Sequence, residues 1–240
     1  NCDEHDKYKT DIDKLYFIET NPNFLFGGRS GGYWQGRKGD DREYILIDGQ
    51  KVGKADFPCS HINLCYKHET NNWYQQETYE ELKSDGYEQG DAYIVSSKIP
   101  RDITKKMVQL MFNIKGRRSV SKSFNDWLKN EAKPNLVKAY EKAGYSNDEI
   151  MDLIEKKHSP IVDYFYKGSL AGQIIQWEEA NLMHQMAYQF QKGYDFVCLT
   201  VYDELIVPEE HVSMVKDFMF SSGHHDIYSQ VSLMSQIKNM

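Results

Sequence analysis

The chain is short of everything that would mark a membrane, secreted or repeat protein. No stretch of its 240 residues approaches the roughly 20 consecutive apolar residues of a membrane-spanning helix, so no membrane partner is expected. Asn1 to Thr10 is polar and charged and carries no secretory pattern. There is no initiator Met, which suggests processing or a fragment and leaves upstream domains open. The four cysteines, Cys2, Cys59, Cys65 and Cys198, are scattered without a Cys-x-x-Cys pair. Such spacing indicates neither a zinc site nor a disulfide framework, and it predicts reduced thiols in the cytoplasm. Internal repeats and low-complexity tracts are absent. Positive charge is in deficit too: 29 Lys and Arg against 36 Asp and Glu give a net charge of −7. A generic nucleic-acid coat would normally be basic, so that class is disfavoured. An enzyme that meets nucleic acid along one local groove is not.

What remains is an ordinary globular composition, long enough for one large domain or two small ones sharing a core. Pro22 and the glycines between 27 and 39 predict a loop or a set of tight turns over 21–40. Tyr44 to Asp48 reads as a strand, Asp48-Gly49 as its turn and Val52 to Phe57 as the returning strand. Helices are expected over Ser60–His68 and Tyr74–Leu82, and over Ile103–Ile114, where Ile103, Met107, Leu110, Met111 and Ile114 share one face. Phe124–Ala143 reads as a helix kinked or broken at Pro134. Ser146–Lys157 opens with good N-cap residues, and Gln173–Lys192 is a long helix expected to stop at Gly193. Phe196–Val201 and Leu205–Val207 form a hairpin whose tip, Tyr202-Asp203-Glu204, is acidic, and a last helix covers Glu209–Phe220. The expected class is α+β, with strands at both ends of the chain and helices between.

The chemistry starts from Asp56 and Asp203, each at the end of an apolar strand. Side by side, two such carboxylates repel unless a divalent cation sits between them. Oxygen ligands select Mg²⁺ or Mn²⁺, and a pair of such ions serves phosphoryl transfer. Each Asp alone is also a commonplace strand-end residue. Arg101 and Lys105 lie four apart on one helix face, suited to a triphosphate tail, although a solvated basic face reads the same way. Gly27-Gly28-Arg29 lacks the spacing of a phosphate-binding loop.

Taken in order, these features resemble the palm and fingers of family A DNA polymerases. Phe26–Gln35, FGGRSGGYWQ, is similar to the family's Thr-Gly-Arg segment and following Gln. Gly49–Leu64 is similar to motif A, and Gly90-Asp91 matches an Asp that precedes the fingers helices. Arg101-Asp-Ile-Thr-Lys105 resembles motif B. Gly172–Gln176, followed by Glu179-Ala-Asn-Leu-Met, resembles the Gln-bearing helix before motif C, and Val201-Tyr-Asp-Glu-Leu205 resembles motif C itself. The resemblance spans about residues 26 to 220 and is nearest to compact polymerase-like proteins of phages and mobile elements.

The resemblance implies a palm with an antiparallel sheet and helical fingers, without an exonuclease domain and with little or no thumb. The implied layout is an N-terminal extension (1–25), first palm segment (26–70), fingers (71–170) and second palm segment (171–240). It implies two Mg²⁺ ions, or Mn²⁺, held by Asp56, Asp203 and the Phe57 carbonyl, with Glu204 in support. It gives Arg101 and Lys105 the incoming nucleoside triphosphate, with His61, Phe112 and Asn113 around it. Arg29, Gln35 and Gln176 are implied to contact primer-template nucleic acid, and a second protein is implied to supply the thumb's function. Four positions depart from the family pattern. His61 stands where motif A has Glu, Asn113 where motif B has Tyr, Gln109 where it has an aromatic, and Tyr202 where motif C has His. Phe112 is beside Asn113 and is a candidate for stacking. Sugar selectivity is therefore open, and so are an RNA-synthesising polymerase, a non-catalytic palm-like binding protein and an unrelated α+β hydrolase or metal protein.

Beyond the motifs, Lys115, Arg117, Arg118 and Lys122 read equally as phosphate contacts or as a solvated loop. Trp34 and Trp73 read as packing residues more readily than as stacking platforms, His158 as a helix-end residue, and His224-His225 as an exposed turn.

Overall fold

The apolar runs from the two ends of the chain meet as neighbouring strands, which puts the sheet centre at a long-range pairing. A computed structural model describes residues 16–19, 27–31, 33–37, 40–74, 91–220, 234–238 and 240. In chain order the strands β1 (Tyr16–Glu19), β2 (Gly27–Gly31), β3 (Leu46–Ile47) and β4 (Gln50–Asp56) come first. Helices α1 (Ser60–Thr70), α2 (Arg101–Asn113), α3 (Arg117–Asn130), α4 (Pro134–Ala143), α5 (Asn147–Lys157) and α6 (Ser169–Tyr194) follow. Strands β5 (Leu199–Val201) and β6 (Glu204–Pro208) precede helices α7 (Val212–Phe220) and α8 (Met234–Lys238). The fold class is α+β, as expected. The chain divides into two compact units, 1–60 with 176–232, and 61–175 with 233–240.

In the first unit, four strands pair antiparallel in the order β3-β4-β6-β5. Asp48 and Gly49 both take positive φ, 51° and 79°, as a two-residue hairpin turn demands. The strand before that turn is shorter than its sequence suggests, because Asp40–Tyr44 closes into a 3-10 turn. On one sheet face Trp34, Val201 and Ile206 form a buried cluster with Ile45, Val52 and Leu199. On the other, Ala55, Leu205 and Val207 are buried. A Cβ added to Gly53 there would lie 2.5 Å from Val212 Cγ2, so glycine is what lets α7 approach β4.

The glycine-rich stretch expected as turns is in part a strand. Gly27–Gly31 pairs antiparallel with Tyr16–Glu19 in a second, two-stranded sheet, and Tyr33–Gly36 forms a 3-10 turn. Glycine permits turns without requiring them, and strand pairing satisfies the backbone equally well. Helix α6 runs through Gly193 to Tyr194 and ends where Asp195 turns left-handed at φ 57°. One glycine near a helix end costs only about 1 kcal/mol, which a 26-residue helix absorbs.

In the second unit, α2 packs on α3, α4 and α5 and buries Ile103, Met107, Val108, Met111 and Phe112. The helix expected over Phe124–Ala143 is two helices, and the first begins at Arg117. Proline disfavours a helical residue before it, so Lys133 is extended (ψ 140°) and Pro134 opens α4. Ser146 and Glu149 form a reciprocal capping box at the start of α5. Met234 and Ile237 of α8 are fully buried, and Lys238 pairs with Glu69 of α1. Among the described residues no helix is long and apolar enough to cross a membrane. The helix expected over Tyr74–Leu82 lies, past Tyr74, outside the described residues, as do Pro22 and His224-His225.

Candidate active site

The sheet of the first unit gathers three carboxyl residues at one end. Alternation along β4 buries Ala55 and exposes Asp56, the last residue of the strand. The antiparallel register then sets Asp56 opposite Glu204. Beyond it, the Phe57 N–H donates to the Asp203 carbonyl at 2.7 Å, extending the pairing by one step. Asp203 itself occupies the two-residue turn between β5 and β6. Asp56, at the end of β4, and Asp203, in the turn before β6, come from opposite halves of the sequence and meet at the same sheet end.

Two residues beside these carboxylates hold a left-handed backbone without being glycine. Tyr202, directly before Asp203, has φ 56°, and Cys59, three residues after Asp56, has φ 45°. Each such conformation costs about 1–2 kcal/mol for an L-residue, and strain of this kind gathers at functional sites. The pairing of Val201 with Glu204 closes the Tyr202 turn on both sides.

Burial raises the Glu204 carboxyl above the ordinary range, and the charge of Asp56 adds to the effect. Lys54 and Arg42 oppose it. Arg42, from the 3-10 turn before β3, places Nη1 3.4 Å from Glu204 Oε1. Glu204 is thus held by a cation on one side and crowded by an acid on the other. Ser60, at the start of α1, donates to Glu179 of α6 at 2.5 Å, and both are buried. This pair ties down the turn that follows Asp56. Neither Arg42 nor the Ser60–Glu179 pair stood among the expected site residues. An acidic pair, Glu178-Glu179, in a helix with no other charged residue before Lys192 (His taken as neutral) was the available signal for the second.

Among the described residues, no group of three or more His, Cys, Asp and Glu side chains is arranged to hold a metal ion. The sheet end instead offers two carboxylates, Asp56 and Asp203, and the backbone oxygen of Phe57. Hard oxygen donors in that number fit Mg²⁺, which binds through one or two carboxylates plus substrate phosphates rather than in an all-protein cage.

The remaining expected residues fare unevenly. In the first unit, Gln35 Nε2 donates to the Thr200 carbonyl at 2.9 Å and Trp34 Nε1 to the same oxygen at 2.8 Å. Both side chains hold β5 in place, and Trp34 packs as expected. Arg29 is opposite Ile18 in the two-stranded sheet, and Gln176 is half-buried on α6. In the second unit, Arg101 binds Asp91 through Nε, and Lys105 is exposed one turn on.

Phe112 lies in the core of the second unit. It is 1% exposed, with its ring 5.0 Å from Phe165 and 6.0 Å from His61. Helix α2 buries two adjacent stripes, and position 112 belongs to the one that meets His61 and Phe165. Asn113 donates its amide to the Gln109 carbonyl at 2.7 Å. Arg117 lies in α3, not a loop, and its guanidinium bonds Asp152 at 2.6 Å and Glu155 at 2.9 Å. It fastens α3 to α5, with Asp148 as a third, longer ion-pair partner at 3.8 Å, and a template contact at that residue would have to break these pairs. Arg118, its neighbour, is exposed. His158 is fully buried at the end of α5, in keeping with its helix-end reading. Cys59, Cys65 and Cys198 are free thiols.

No family model matches this chain, and no curated protein or solved structure matches it either.

Proposed function

We propose that the protein is a template-dependent nucleotidyltransferase, resembling a family A DNA polymerase reduced to palm and fingers. The observation that carries this reading is the strand register that brings Asp56 and Asp203 to one sheet end. Those two carboxylates and the Phe57 carbonyl would hold the divalent ions. Bound there, Mg²⁺ or Mn²⁺ lowers the pKa of the attacking hydroxyl and offsets charge on the leaving oxygens.

In the reaction, a primer 3′-hydroxyl attacks the α-phosphorus of a nucleoside triphosphate. A new P–O bond forms as the bond to the bridging oxygen breaks, pyrophosphate departs and the hydroxyl proton is released. Glu204, braced by Arg42, orients the acidic sheet end. Arg101 and Lys105 bind the triphosphate and offset the charge of the departing pyrophosphate. Arg118 and Gln176 serve primer-template. His61, in place of the family's acid, leaves open whether deoxyribo- or ribonucleotides are taken.

A second reading, a non-catalytic nucleic-acid-binding protein, draws on Phe112 and Asn113. Both stand at positions given to the nucleotide, and both are engaged within the second unit. Primer extension separates the two readings. The first expects Mg²⁺- or Mn²⁺-dependent extension of a primer on a template, lost in Asp56→Asn and Asp203→Asn. Binding without extension under either ion, unaltered by Asp203→Asn, selects the second.

A further inference from the structure

The loop before α2 is held unusually firmly. Lys157, at the end of α5, donates through Nζ to the carbonyls of Asp91 at 2.8 Å and Ile94 at 2.5 Å. His158 Nε2 lies 2.9 Å from the Ala92 carbonyl, so every backbone oxygen from 91 to 94 except that of Tyr93 meets α5's end. Inside the loop, Asp91 Oδ1 accepts from the Tyr93 N–H at 2.8 Å. The residue so fixed is Tyr93, 8% exposed.

Its ring meets two cations. The Arg101 guanidinium carbon is 5.1 Å from the ring centroid and Lys105 Nζ is 5.8 Å from it. Like charges one helical turn apart repel, and two long side chains left free would splay into solvent. The negative face of an aromatic ring attracts both. Asp91 Oδ2, on Arg101 Nε, fixes the guanidinium further.

We infer that Tyr93 is a positioning residue: its ring, clamped by the end of α5, keeps Arg101 and Lys105 together as one polyphosphate-binding pair. The inference rests on the reading of those two cations given under the proposed function, and it deepens that reading by naming what aligns them. It also explains why a buried tyrosine faces charge: the ring supplies attraction without neutralising either cation.

The test is titration calorimetry of the chain with inorganic tripolyphosphate, without divalent metal, at low ionic strength. Lys105→Ala and Arg101→Ala weaken binding. Tyr93→Phe, which keeps the ring, stays within about twofold of wild type, and Tyr93→Leu binds about tenfold more weakly. Because Tyr93→Leu risks the fold, a series of progressively fluorinated phenylalanines at position 93 carries the decision. Fluorine withdraws charge from the ring face at nearly constant shape, so affinity falls stepwise along the series. Flat affinity across the series overturns the inference, as does a wild type that does not bind tripolyphosphate. Affinity that falls along the series in a protein that extends no primer supports the inference and sinks the polymerase reading. Extension that depends on Lys105, with a flat series, does the reverse.

Discussion

The two units gather their charged groups by opposite means. In the first, Asp56 and Asp203 are neighbours only because β4 pairs with β6 across most of the chain's length. In the second, Arg101 and Lys105 are one turn apart on α2 and need only a helix and a ring beneath them. A non-local carboxylate site exists only in the folded state, whereas a local cation pair survives wherever its helix does. Under the proposed function, the comparison assigns chemistry to the sheet end and binding to the helix.

The sharpest way to break that division is kinetic. Asp203→Asn is expected to lower kcat for primer extension at least about 1,000-fold with little change in KM, since a metal ligand is lost. Lys105→Ala is expected to raise KM for the nucleotide about 10- to 100-fold, with a smaller effect on kcat. Steady-state extension assays read both. If the two variants share one pattern, the division is wrong.

Those carboxylates were legible one at a time, as strand-end acids, and their juxtaposition was legible only through motif order. Strand pairing between distant segments leaves no periodic trace in either segment. The Asp48-Gly49 turn and the Ser146 cap were readable because their chemistry is complete within four residues. The burial of Phe112 was not legible for the converse reason: His61 and Phe165, which cover its ring, are distant in the chain. Gly27–Gly31 misled because glycine reports freedom and not geometry.

Acid should separate the units next. Burial holds the His158 imidazole neutral, with a pKa pushed down to about 4, although the Ala92 carbonyl opposes the shift; the charge of Lys157 reinforces it. A histidine depressed in the folded state loses stability as pH falls, because the unfolded chain takes up the proton first. The loss begins near the ordinary value of about 6.5 and is complete near 4, amounting to roughly 3 kcal/mol. Hydrogen exchange between pH 7 and 4 is expected to show weakening of the second unit, centred on residues 91–94 and the end of α5. A first unit that weakens equally over this range would remove the contrast.

A smaller effect is expected from the packing of the first unit. Gly53→Ala places a methyl against Val212, whose β-branched side chain has little freedom to withdraw. The cost should be about 1–3 kcal/mol by denaturant unfolding, and Val212→Ala in the same chain should recover part of it. The second unit should keep its unfolding midpoint. Full additivity of the two substitutions would mean that Gly53 is there for another reason.

The smallest expected effect runs in the opposite sense. Glu204 has its carboxyl raised by burial and by Asp56, so its ionised form disfavours the folded first unit even with Arg42 beside it. For an acid raised in the folded state, that penalty is present at neutral pH. It disappears as pH falls through the folded and then the ordinary carboxylate range. Glu204→Gln should therefore raise the unfolding temperature of the first unit at pH 7 and leave it unchanged near pH 3. In the extension assay it should lose activity, because a neutral amide orients the acidic end less well. Stability gained with activity lost would mark the residue as kept for its charge, in a position where the fold alone would prefer none. Stability lost at pH 7 would instead make the Arg42–Glu204 pair a structural clamp, and would leave Asp56 and Asp203 as the whole of the site.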